Sequence, residues 1–148
     1  MMYPAFEIMT SLVAFTFIAI LAYGVFTHQR EWFTLGICCF NIIPLVGGFY
    51  YYSLNNELVH LAIIMVFMSQ IIITLPVKIN YGSDNSSAFV LGVKIGVSIL
   101  LTNLFHGFFI LSTELDIPKQ FGYYHLAIAL IMLYPIIKSN YKKDVRWR

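Results

Sequence analysis

The side chains best placed for chemistry in this chain are a lysine and three histidines set inside or against apolar runs. The run 88–112 carries Lys94, Asn103 and His106. On a helix, Lys94, Ser98, Thr102 and His106 recur every fourth residue and line one face, a ladder about 18 Å long at 1.5 Å of rise per residue. Ionisable groups inside a bilayer mark ion paths, relays or cofactor sites, and a central lysine costs roughly 2.5–3.5 kcal/mol to insert. One reading of the ladder is a proton or ion path. Its simpler counterpart is a set of hydroxyls bonded back to their own helix carbonyls. Lys94 lies about six residues, roughly 9 Å, from one end of its run, so its stem can also carry the ammonium to the interface. A buried partner for it would be Asn41 in the second run, an anionic lipid, a cofactor or another subunit.

His106 lies deeper in its run than His60 and His125 lie in theirs. Imidazoles from different helices at one depth are the donors a b-type haem or a transition metal needs, each held by an acceptor behind it. The simpler reading makes His60 and His125 polar anchors at helix ends. No metal-ligand set is assigned, because sequence spacing does not fix which way the rings face. Cys38 and Cys39 are adjacent within an apolar run and point about 100° apart on a helix, which suits small buried hydrophobes and not a redox or zinc pair. There is no G-x-x-x-x-G-K-[ST], G-x-S-x-G or H-E-x-x-H, and no pair of carboxylates within the apolar runs. Phosphate-binding and hydrolase chemistry of those kinds is excluded, and no catalytic residue is assigned.

The elements that must position these groups are long and apolar. Hydrophobic residues make up 59% of the 148 residues and charged ones 11%, which departs from soluble domains in the direction of a multi-pass membrane protein. The runs predict an all-α transmembrane bundle of five helices at about 5–27, 33–53, 58–77, 88–112 and 122–138, in one domain, with the fifth the shortest. Polar turns separate them at 28–31, 54–57, 78–87 and 113–120. Pro44 removes one hydrogen bond inside the second helix. Gly92, Gly96 and Gly107 share a face of the fourth helix with Asn103, a small-residue groove for close packing within the bundle or with a partner.

Placing Arg30, Lys78 and the tail residues Lys138, Lys142, Lys143, Arg146 and Arg148 on one side leaves only Lys119 on the other. The positive-inside rule then predicts an external N-terminus and a cytoplasmic basic tail over 138–148. In that orientation His60, His106 and His125 share the outer leaflet. The tail suits anionic lipid headgroups, and it is too short and too closely tethered for nucleic acid. With no segment long enough for an aqueous domain, the first functional expectation is an accessory or structural subunit of a larger membrane assembly, or a homo-oligomer. The alternatives are a redox protein holding haem or a metal near the outer leaflet, and an oligomeric transporter or channel for ions or small solutes.

Overall fold

The computed structural model describes residues 4–75, 86–114 and 117–141. They form five helices, α1 Pro4–Thr27, α2 Arg30–Asn55, α3 Leu58–Thr74, α4 Ser86–Ser112 and α5 Lys119–Tyr141. Four of these contain stretches long and apolar enough to cross a membrane: Glu7–Thr27, Arg30–Asn55, Lys94–Ser112 and Lys119–Lys138. The shortest helix is α3, with 17 residues, and not the fifth. It stops at Thr74 because Leu75 precedes a proline and takes an extended backbone, φ −50° and ψ 131°. The last two residues expected in that helix, 76–77, lie outside the described residues.

The fifth helix is longer than expected at both ends. Its first residue, Lys119, read as loop from its polarity, yet its ammonium donates to the carbonyls of Ile110 and Thr113 at the end of α4. That contact supplies both a place for the lysine and partners for carbonyls that a helix terminus leaves open. At the other end α5 passes Pro135 and continues through Lys138 to Tyr141, so the tail starts later than expected. Residues 142–148 lie outside the described residues.

Two turns are closed by residues in the left-handed region. His28 (φ 57°) ends α1, with Gln29 N–H donating to Gly24 O at 2.9 Å. Asn56 (φ 56°) ends α2, with its N–H donating to Tyr52 O at 2.8 Å. Both are αL closures; asparagine enters that region readily, and histidine does so at more strain.

Consecutive helices pack as the hairpins α1–α2, α2–α3 and α4–α5, and α1 lies against α5. The core joins Ala14, Ile18, Leu21 and Val25 of α1 to Ile37 and Phe40 of α2, Ile99 of α4, and Ile128 and Met132 of α5. Glycine sets two of the seams. A Cβ on Gly36 would stand 2.5 Å from the Leu21 backbone nitrogen, so α1 and α2 touch backbone to backbone there. A Cβ on Gly107 would stand 2.9 Å from the Gly122 carbonyl oxygen. Gly96 faces Met132 and Ile136 of α5 in the same seam. The glycine face of α4 is therefore used inside the bundle at Gly96 and Gly107. Gly92 lies in α4, beyond the residues whose surroundings are described. Outward, the helices present Leu12, Phe15, Val46, Met65, Ile72, Phe105 and Leu130, all exposed. Such a surface belongs in an apolar solvent.

Candidate functional site

The helix registers bring four buried polar side chains to nearly one level. In α2–α3, Gly48 stands on Ile64 and Cys38 meets Thr74. This antiparallel register sets Asn41 opposite the turn that holds Gln70. In α4–α5, Asn103 touches His125 directly. Phe40, the neighbour of Asn41, packs edge-on against His125 with ring centroids 5.1 Å apart. Asn41 and Asn103 are wholly buried, His125 is 2% exposed and Gln70 5%.

These groups differ in what they are bonded to. Asn103 Nδ2 donates to the Ile99 carbonyl at 2.8 Å, one turn back on its own helix. That bond fixes the amide, because the reverse orientation would set oxygen against oxygen. Asn103 Oδ1 then faces His125 Nδ1 at 2.7 Å. A carbonyl oxygen accepts, so Nδ1 carries the proton and donates, which leaves Nε2 with its lone pair. Asn41 and Gln70, by contrast, have no hydrogen-bond partner for either side-chain polar atom among the described residues.

From this level toward the end of the bundle where α1, α3 and α5 begin, three histidines follow, two of them in contact. The rings of His106 and His125 meet edge to face, with centroids 4.6 Å apart. Phe67 of α3 closes on both, at 4.9 Å from His106 and 5.5 Å from His125. Through Phe67, α3 reaches the α4–α5 hairpin. His60 is 1% exposed and stacks on Tyr51 at 5.7 Å. Its Nε2 stands 3.5 Å from Glu57, a carboxylate that is 51% exposed. Neither ring nitrogen of His60 has a hydrogen-bond partner among the described residues.

All three histidines line one cleft of about 590 Å³. Its walls come mainly from α2, including Phe40, Pro44, Gly47 and Tyr51, with Ile63, Ile110 and Phe121 from the other helices. No Asp, Glu, Lys or Arg appears among the described residues that line it. Pro44 keeps its place inside an unbroken α2 while contributing an apolar edge to the cleft.

Of the three histidines expected at one depth, His106 and His125 meet, while His60, about two turns of α3 from the Phe67 that touches both, stands apart on Tyr51. Among the described residues no group of three or more His, Cys, Asp or Glu could hold a metal ion. His106 and His125 cannot be the two axial ligands of one haem as they stand. With metal–nitrogen bonds of about 2 Å on each side, trans imidazoles must face each other across the porphyrin, well beyond a 4.6 Å edge-to-face contact. His60 lines the same cleft from α3 and stacks on Tyr51.

The Lys94 ladder does not enter the bundle as an interior path. Lys94 and Ser98 are exposed and Thr102 is half-buried, whereas Gly96, Ile99, Asn103 and Gly107 are buried. The fourth helix turns its glycine and asparagine face inward, and the ladder runs along the flank. His106 is the member of the ladder that reaches the cleft. Asn41 is buried while Lys94 is exposed, so the expected pairing of the two is replaced by separate environments.

Sequence reasoning passed over Phe40, Phe67 and Gly122, and it took Tyr51 only for an interfacial aromatic. Phenylalanines in apolar runs carry no mark of function, and only the tertiary contacts select these two. Against protein-family models, curated proteins and solved structures alike, the chain gives no match, so its function is argued from this site alone.

Proposed function

We propose that this chain is a multi-pass membrane protein that binds a small lipophilic molecule in the cleft walled by His60, His106 and His125. The cleft is the observation that carries the reading. About 590 Å³ lies within the ~300–1,000 Å³ typical of small-molecule sites, which pair apolar walls with a few placed polar groups. In this reading all five helices cross the bilayer, α3 with little tilt and with Glu57 and Leu75 at its ends near the interfaces. Arg30 and Lys138 lie at the end opposite the cleft. The positive-inside rule then sets the N-terminus outside, the tail in the cytoplasm and the cleft in the outer leaflet.

Gly47 supplies the test. It lines the cleft, and a Cβ added there would meet nothing within 4 Å. Gly47→Phe should fill the cleft and leave the helix seams intact. Native mass spectrometry of the wild type, purified from membranes in mild detergent, should show a bound lipophile that Gly47→Phe loses at unchanged helicity. A wild type free of bound lipophile, and not stabilised by any added one, would sink the proposal.

A second reading, as a subunit of a larger assembly or a homo-oligomer, is favoured by the flank of α4. Exposed Lys94 and Ser98 stand on a helix that, short of its final Ser112, otherwise turns Val97, Leu101, Phe105 and Phe108 outward among its described residues. A polar stripe facing lipid is costly, and a neighbouring subunit would cover it. A cysteine at Ser98 should cross-link to that neighbour in native membranes. Absence of any cross-link from this flank would remove the support. The same flank is where an oligomeric path for ions would have to run.

A further inference from the structure

We propose that the cleft selects a neutral lipophile whose polar end donates a hydrogen bond, a long-chain alcohol or a phenol, and that His125 Nε2 is the acceptor that recognises it. The inference rests on the reading of the cleft as a ligand site, and it concerns which headgroup that site accepts.

Charge comes first. A charged headgroup moved into an apolar site must find a counter-ion, or its desolvation is uncompensated. The described lining offers none, and the nearest carboxylate, Glu57, is half-exposed and stands beside His60, away from His125. Lys119, next to the lining residue Pro118, has its ammonium committed to the carbonyls of Ile110 and Thr113. A carboxylate or phosphate at the histidine end would therefore be buried without a partner.

The direction of the hydrogen bond follows from the chain of bonds behind His125. The Ile99 carbonyl holds Asn103 Nδ2, Asn103 Oδ1 holds His125 Nδ1–H, and Nε2 is left as an acceptor. His125 lines the cleft, and no hydrogen bond joins it to His106 among the described residues, although the rings touch. A hydroxyl can donate to that nitrogen. An ether or an ester of the same shape cannot, and it leaves a buried acceptor unpaired. His60, buried and with neither ring nitrogen bonded among the described residues, stands on the same cleft. It stacks on Tyr51, about 16 Å along α2 from the Phe40 that packs on His125, so it lies farther along the cleft and His125 Nε2 alone receives the hydroxyl.

Four probes that share a chain isolate the headgroup: farnesol, farnesyl methyl ether, farnesylamine and farnesoic acid. Each is titrated into the purified full chain in mild detergent, with Gly47→Phe alongside. Farnesol should bind at least about tenfold more tightly than each of the others, the ratio expected when a buried polar group loses its partner. The His125 Nε2 resonance of ¹⁵N-histidine-labelled protein should report an unprotonated nitrogen and move with farnesol but not with the ether. Asn103→Leu frees the tautomer of His125, and in it the preference for alcohol over ether should fall toward unity.

Binding of the ether, amine or acid within threefold of farnesol overturns the inference and leaves the cleft reading standing. So does a protonated His125 Nε2, a result available even if Asn103→Leu does not fold. Failure of all four probes, or binding that survives Gly47→Phe, overturns the cleft reading and the inference with it.

Discussion

In the α4–α5 hairpin, the buried amide of Asn103 is bonded on both sides, to its own helix and to His125. In the α2–α3 hairpin, at nearly the same level, the amides of Asn41 and Gln70 are as deeply buried and bonded to nothing among the described residues. The seams differ in the same sense. Gly107 and Gly122 bring backbone to backbone, whereas Gly48 meets first the Ile64 side chain at Cγ1, with the His60 carbonyl farther off at 3.5 Å. One hairpin is complete in itself. The other carries unsatisfied polar atoms and supplies most of the cleft wall. Each orphaned buried polar group costs about 1–3 kcal/mol, and proteins accept such costs chiefly where function uses the group. The difference marks α4–α5 as the scaffold that orients His125 and α2–α3 as the main wall of the proposed site, with its two unbonded amides behind the lining.

The largest expected contrast is in the seams. In Gly107→Ala the new Cβ meets a backbone carbonyl, so the helices must part; about 2–3 kcal/mol should be lost, the upper part of the range for overpacked cores. In Gly48→Ala the nearest atom is the side-chain Cγ1 of Ile64 at 2.9 Å and not a backbone carbonyl, and the loss should be the smaller of the two. Unfolding in mixed micelles by increasing denaturing detergent reads both. Equal losses would mean that the two seams are equally rigid, and the proposed division of labour would fail.

The next contrast is between the amides. Asn103→Leu strips the partner from a buried His125 N–H and should cost about 1–2 kcal/mol, given the modest worth of hydrogen bonds inside membranes. Asn41→Leu removes two polar atoms that have no bonded partner, and should be neutral or stabilising in the ligand-free protein. Gln70→Leu should behave likewise. If Asn41→Leu instead destabilises as much as Asn103→Leu, Asn41 is satisfied by a group outside the chain, and α2–α3 is no more open than its counterpart.

Much of the architecture was legible because five apolar runs separated by polar turns leave few alternatives to a helical bundle. The inward face of α4 was legible too, since Gly96, Asn103 and Gly107 fall on one side of a helix whatever it packs against. The meeting of His106 and His125 followed from the order and direction of α4 and α5, whereas His60 sits about two turns of α3 from the Phe67 that touches both. What did not show was rotation. Lys94, Ser98 and Thr102 share an i, i+4 row with His106, but only His106 lies far enough along α4 to meet α3 and α5 through Phe67 and His125. Rows are local, whereas burial depends on which neighbours reach that height. The start of α5 was hidden for a related reason: Lys119 looks like a loop residue until the carbonyls ending α4 are placed beside it. Nothing in the string distinguishes Asn103, which finds His125, from Asn41, which finds no partner among the described residues.

The smallest effect concerns the tie between the two hairpins at the end away from the cleft. There α5 meets the α1–α2 turn, where Lys138 Nζ donates to His28 Nε2 at 2.8 Å and the His28 ring stacks on Tyr134. Burial, and then the Lys138 ammonium, hold the His28 pKa below its ordinary value of 6.5. The neutral ring is thus favoured in the folded protein. Its contribution is fully present above pH 6.5 and is lost as pH falls through the lowered folded value, when protonation removes the acceptor and sets two cations side by side. Thermal unfolding in detergent should therefore show a midpoint that drops modestly from about pH 7 to about pH 5. The drop should shrink in His28→Gln, whose amide oxygen can still accept from Lys138. It should be the smallest of these effects because His28 is only partly buried and solvent screens the pair. An undiminished pH slope in His28→Gln would assign the acid sensitivity to groups elsewhere in the protein. It would leave the packing of α1 against α5, and not this polar contact, as what joins the scaffold to the wall.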